Sequence, residues 1–132
     1  MKEYLANELK VQICYFGIAG YSLGGLFAIY SSYKTALFTR IASASGSLWY
    51  PKIREFIREN KTVSRVEKIY FSLGDKESKT KNKVFMSVET NTKEIEQFYR
   101  ENGVTTIYEK NEGNHFQDAE LRMAKGIKWI LE

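Results

Sequence analysis

Short apolar runs alternate along the chain with longer amphipathic stretches, the pattern of βα units laid on a parallel sheet. Ile13 to Gly20 (ICYFGIAG) is a continuous apolar run of strand length and reads as a buried strand. From Leu23 onward (LGGLFAIYSSY), Leu26, Phe27, Ile29 and Tyr30 recur at helical spacing. A second strand is expected from Phe38 to Ala44. Pro51 then opens a helix, PKIREFIREN, with Ile53, Phe56 and Ile57 on one face, because the fixed φ of proline suits a first helical position. VEKIYFSLG gives the third strand. A helix from about Val84 to Asn102 stops at Gly103, where glycine suits a left-handed cap. VTTIYE is the fourth strand. The last helix, DAELRMAKGIKWILE, carries Asp118 at or near its N-cap and is expected to turn Leu121, Ala124, Ile127, Ile130 and Leu131 inward. The sequence has no internal repeat, low-complexity tract or inter-domain linker. The expectation is one α/β domain over residues 1–132, a parallel sheet of about four strands with flanking helices.

Composition narrows the classes without naming one. At 43% hydrophobic and 14% aromatic residues, the 132-residue chain has ample material for a packed core. The formal charge of +4 comes from 20 Lys and Arg interspersed with 16 Asp and Glu, so no single-sign block tracks a phosphate backbone, and nucleic acid is not the favoured partner. The apolar run from Val11 to Ala19 is too short to span a bilayer and lacks a signal-peptide cleavage pattern, which makes a cytoplasmic address the default expectation and a membrane partner an unfavoured one. Cys14 is the single cysteine. It excludes an internal disulfide or thiolate metal cluster, and its apolar neighbours place it in the core.

Candidate chemistry begins at GIAGYSLGG, residues Gly17 to Gly25, which contains G-x-S-x-G centred on Ser22. At ordinary glycine and serine frequencies the pentapeptide arises by chance in about one chain in twenty of this length, so context has to carry it. The motif is mechanically useful as a strand-to-helix turn that holds the serine in a strained conformation, with glycine at each flank to avoid collision with neighbouring backbone. A buried strand followed by an amphipathic helix supplies that context. A serine hydroxyl also needs a base. The one histidine, His115, lies in EGNHFQDA between the fourth strand and the last helix, which hangs it from the sheet's carboxyl edge beside Ser22. A third member must orient the imidazole, and FSLGDKES, after the third strand, offers Asp75 and Glu77.

Taken together, AGYSLGGLFAIYSS, ASGSLWYP, IYFSLGDKESKTKN and NEGNHFQDAELRMAKGIKWIL resemble the esterase branch of the α/β-hydrolases that holds enterobactin and other siderophore esterases, esterase D and feruloyl esterases. The resemblance runs from about Val11 onward. It implies Ser22 as nucleophile, His115 as general base, Glu77 as the acid with Asp75 as the alternative, and the Leu23 amide as an oxyanion donor. It also implies a small-molecule ester substrate, of siderophore, lactone or aryl type, and no metal or cofactor. Tyr21, Ser47 and Trp49 are expected at the substrate, although Trp49 serves equally well as a plug over the core. Ser45 and Tyr50 share that loop. The lysine-rich stretch Lys76 to Lys83 reads chiefly as a solvated loop.

The same resemblance implies several strands before the elbow, whereas Lys2 to Lys10 leave room for one short helix. Two outcomes are expected: the chain is the C-terminal half of a longer esterase, or it forms a homodimer in which two elbow strands pair about a two-fold axis. A second oxyanion donor would come from a loop after an early strand. Two other functional readings stand beside the ester hydrolase: a catalytically impaired remnant or assembly module, and an acyltransferase.

Overall fold

A computed structural model describes residues 1–132. Its elements in chain order are α1 (Lys2–Leu9), β1 (Phe16–Tyr21), α2 (Leu23–Ser31), β2 (Phe38–Ala44), α3 (Ile53–Glu59), β3 (Lys68–Gly74), α4 (Lys83–Met86), α5 (Val88–Glu101), β4 (Thr105–Asn111) and α6 (Ala119–Leu131). The four strands form one parallel sheet in the order β1-β2-β3-β4. Each crossover therefore brings the chain back to start the neighbouring strand from the same end. All four strands point their carboxyl ends at one edge, where loops can meet. Strand β1 is the outermost on its side and pairs only with β2.

Successive strand residues face opposite layers, and the two layers differ in chemistry. Ile41 of β2 with Ile69 and Phe71 of β3 meet Ala28 and Ile29 of α2, Ile53 and Ile57 of α3, and Ile95 and Tyr99 of α5, part of an eleven-residue apolar cluster. On the other layer α6 packs alone, and its buried apolar cluster is Ala42, Tyr70 and Ile130. Polar bonds supplement that small core. Lys125 Nζ donates to Glu109 Oε1 at 2.9 Å, Arg40 Nη1 to the Ile130 carbonyl at 2.8 Å and Lys68 Nζ to the Trp129 carbonyl at 3.0 Å.

The sequence reading needs four corrections. Strand β1 begins at Phe16, so Cys14 precedes the sheet and is exposed rather than core, because no strand lies beside it to bury it. Pro51 sits in a turn, and α3 starts two residues later with Lys52 in the left-handed region at φ 63°. The single helix expected from Val84 to Asn102 is two, broken at Ser87; Asn82 caps the first by accepting from the Val84 and Phe85 N–H groups. The largest correction concerns α6. Its inward stripe is Arg122, Gly126 and Ile130, while Leu121, Ala124, Ile127 and Leu131 are exposed. The reason is steric: a Cβ on Gly126 would stand 2.9 Å from the Tyr70 ring and 3.2 Å from the Ala42 Cβ, so only a glycine lets the helix approach the sheet this closely. No helix is long and apolar enough to cross a membrane.

Candidate active site

Ser22 occupies the bend between β1 and α2 with φ 59° and ψ −121°, a conformation that L-residues adopt only when the surroundings enforce it. Its N–H donates to the Ala44 carbonyl at 3.1 Å, and its carbonyl accepts from Gly25, Leu26 and Ser47. The glycines that make the bend feasible differ from the motif's outer pair. A Cβ on Gly20 would run into the Gly24 carbonyl, and one on Gly25 would come within 2.8 Å of Ser43 Oγ and 2.9 Å of Gly46 Cα. Gly24, by contrast, faces open space. Close approach of α2 to β1 and to the loop after β2 thus requires Gly20 and Gly25, and the glycine expected to avoid collision at Gly24 meets none.

His115 Nε2 lies 2.9 Å from Ser22 Oγ. On the other side of the ring, Nδ1 is 3.5 Å from Glu77 Oε1, close enough for strong electrostatic interaction though long for a hydrogen bond. Glu77 is nearly sealed from solvent, with its side chain 4% exposed. Burial works to raise its pKa, but the polar groups of His115, Ser45 and the backbone at Gly74 around it, with the charge His115 carries when protonated, overcome that and hold the carboxyl below its ordinary range. Asp75 has a different position: its Oδ1 accepts the Gly113 N–H at 2.9 Å and so ties down the loop that carries His115. Of the two acid candidates, Glu77 is the one beside the imidazole.

The remaining expected residues divide between the cleft and its supports. Ser22, Leu23, Ser47, Trp49 and His115 all line a cleft of about 340 Å³, together with Phe85 and Phe116. Ser47 Oγ is 3.3 Å from Ser22 Oγ, and Trp49 meets Phe85 edge to face with ring centroids 4.7 Å apart. The loop that carries both is anchored from below, since Asn91 of α5 donates to the Leu48 carbonyl at 2.8 Å. Tyr21, expected at the substrate, turns its hydroxyl to the His115 carbonyl at 2.5 Å, because that loop passes directly above the end of β1. Leu23 is the first residue of α2, so its N–H has no acceptor within its own helix. Beyond Leu23 an apolar groove of about 490 Å³ runs between Phe27, Tyr30, Tyr50 and Phe56.

Sequence reasoning missed Arg122. It comes from α6, is 1% exposed, and its Nη1 donates to Glu77 Oε1 at 3.1 Å and to Ser45 Oγ at 3.1 Å. The signal was present: Arg122, Gly126 and Ile130 fall at i, i+4 and i+8, which makes a stripe as regular as the apolar one.

Comparison with known proteins gives the family and the fold. Residues 1–121 match the protein family described as "Putative esterase". The chain is 31% identical over 120 residues to "Uncharacterized protein YbbA" of Bacillus subtilis (strain 168), an alignment covering 86% of this chain and 48% of that protein. It therefore spans about half the length of the curated relative it matches. Among solved structures, it is similar to enterochelin esterase from Shigella flexneri (TM-score 0.73, 18% identity, 98% of this chain and 34% of that one). It is also similar to the siderophore hydrolase EstA from Aspergillus nidulans (TM-score 0.69, 19% identity, 96% and 52%) and to the enterobactin esterase FES from Shigella flexneri (TM-score 0.65, 20% identity, 86% and 31%). Those likenesses give the fold, a parallel sheet with flanking helices of the α/β-hydrolase type. With its elbow, its sheet order and a family match reaching from residue 1 to residue 121, the chain belongs to the esterase family.

Proposed function

We propose that this chain carries the acyl-transfer machinery of a serine ester hydrolase, with Ser22 as nucleophile, His115 as general base and Glu77 as the acid that orients it. The observation that carries the reading is the contact of Ser22 Oγ with His115 Nε2 at 2.9 Å, made on a serine held at positive φ. For Nε2 to accept the hydroxyl proton, Nδ1 must hold its own, and the buried Glu77 carboxylate is the group that favours this tautomer. Ser22 attacks the ester carbonyl as His115 takes its proton. The oxyanion develops beside the unpaired Leu23 N–H at the positive end of α2. His115 then protonates the departing alcohol. Water, deprotonated by the same imidazole, releases the acid and restores Ser22.

The cleft favours an ester with an aromatic or other flat apolar part. Trp49, Phe85 and Phe116 line it, and Phe116 is 84% exposed, so an occupant would cover apolar surface that now faces solvent. The names of the structural neighbours, a siderophore hydrolase and enterobactin or enterochelin esterases, lend support to a siderophore-type ester. Reaction with a fluorophosphonate tests the reading. Stoichiometric labelling of Ser22, abolished in Ser22→Ala, is expected; a folded protein that takes up no label overturns it.

A further inference from the structure

We infer that Arg122 is a positioning residue for this site, a buried cation that fixes Glu77 and the His115 loop against one another; the inference rests on the esterase reading above. Four bonds radiate from its guanidinium. Nη1 donates to Glu77 Oε1 at 3.1 Å, to Ser45 Oγ at 3.1 Å and to Tyr21 Oη at 3.3 Å, and Nη2 donates to the Glu112 carbonyl at 3.0 Å. The partners come from the loops after β3 and β2, the last residue of β1 and the loop after β4 in turn, so one side chain on α6 ties three loops and the end of β1 together at the carboxyl edge of the sheet. Tyr21 passes the restraint on, because its hydroxyl donates to the His115 carbonyl.

The arrangement answers an electrostatic problem. Whenever the imidazole is in the neutral form that a base requires, a carboxylate as buried as Glu77 would be an uncompensated charge without another cation, which proteins avoid strongly. A guanidinium stays protonated throughout and supplies that compensation at every stage. Arg122 Nη1 also sits nearer to Glu77 Oε1 than His115 Nδ1 does, 3.1 Å against 3.5 Å. The carboxylate is thus held by the arginine and offered to the imidazole. Gly74 makes the room, since a Cβ there would lie 2.9 Å from Arg122 Nη2. The other titratable and charged groups around the pair are Tyr21 from β1, Tyr70 from β3, Tyr108 and Glu109 from β4, Asp75 and Glu112 from the loops, and Lys125 one turn along α6.

The test uses the full chain with a fluorophosphonate and the imidazole NMR signals of its single histidine. Arg122→Met is expected to slow Ser22 labelling on the order of 10²-fold, the penalty for a misplaced catalytic group, and to abolish the downfield Nδ1–H resonance that a carboxylate partner produces. Arg122→Lys, which keeps the charge but not the fork, is expected to recover at least about tenfold of that loss and the resonance with it. Should Arg122→Met fail to fold, Tyr21→Phe removes one arm of the relay and is expected to slow labelling about three- to tenfold with the core intact. A folded Arg122→Met protein with wild-type labelling rate and an unchanged resonance overturns the inference, as does Tyr21→Phe without effect when the methionine variant does not fold. If wild type takes no label, the esterase reading fails, and the resonance in wild type against Arg122→Met still decides whether the arginine fixes the pair.

Discussion

The two faces of the sheet are built on different principles. Under α2, α3 and α5 the chain buries a continuous apolar cluster of eleven residues, in which any one side chain is a fraction of the whole. Under α6 three buried apolar residues are joined by specific polar anchors, Arg122, Lys125, Arg40 and Lys68, each with a named acceptor. The first face resembles an ordinary core, stabilised by area. The second depends on geometry, and it is the face from which Arg122 reaches Glu77 and the loop that carries His115. A site that needs groups placed within tenths of an ångström gains from directional bonds, which a greasy contact does not supply.

This contrast can be broken from either side. The largest effect belongs to the site: His115→Ala is expected to slow fluorophosphonate labelling at least about a thousandfold with little change in melting temperature, because the imidazole packs on no core. Next comes the apolar face. Ile41→Ala, at a fully buried position, is expected to destabilise the fold by about 2–5 kcal/mol in urea unfolding, while whatever remains folded labels normally. Glu77→Gln is expected to slow labelling about a hundredfold and Asp75→Asn less than about tenfold, since Asp75 reaches the site only through the Gly113 N–H.

The pH dependence sharpens the same point. The folded-state pKa of Glu77 lies below its ordinary value of 4.5, so its ionised form contributes stability that is fully present above that value and is lost as pH falls through the depressed one. Unfolding curves of wild type and Glu77→Gln should accordingly be furthest apart above the ordinary carboxyl pKa of 4.5 and draw together as the pH falls through the depressed one. The smallest effect tests the elbow. Gly24→Ala, facing open space in the first turn of α2, is expected to change stability by no more than about 1 kcal/mol and in the favourable direction. Gly20→Ala, with its Cβ driven into the Gly24 carbonyl, should unfold the protein or displace α2.

Much of this was legible in the residues themselves. The four strands, their order of appearance and the helices between them follow from apolar periodicity, because each element buries a face that its own sequence must supply. Ser22, His115 and the loop holding Glu77 were legible for a related reason: a strand-to-helix turn rich in glycine and a lone histidine after a strand are local patterns. The orientation of α6 was not. Its sequence carries two stripes of equal regularity, one apolar and one reading Arg122, Gly126, Ile130, and no local rule ranks them. The sheet took the second, where Gly126 admits close approach, and this places Arg122 against the buried Glu77 carboxylate.

What the chain's order of residues determined was therefore the set of elements and which side chains stand at the candidate site, Ser22 on its bend and His115 on its loop, quantities governed by short-range sterics and by each segment's own apolar content. The choice between Glu77 and Asp75 as neighbour of the imidazole, the exposure of Cys14, the open space at Gly24 and the burial of Arg122 were decided by the tertiary structure. Each of those depends on what a different part of the chain brings alongside, and a desolvated charge or a crowded Cβ has no energy until its neighbour arrives.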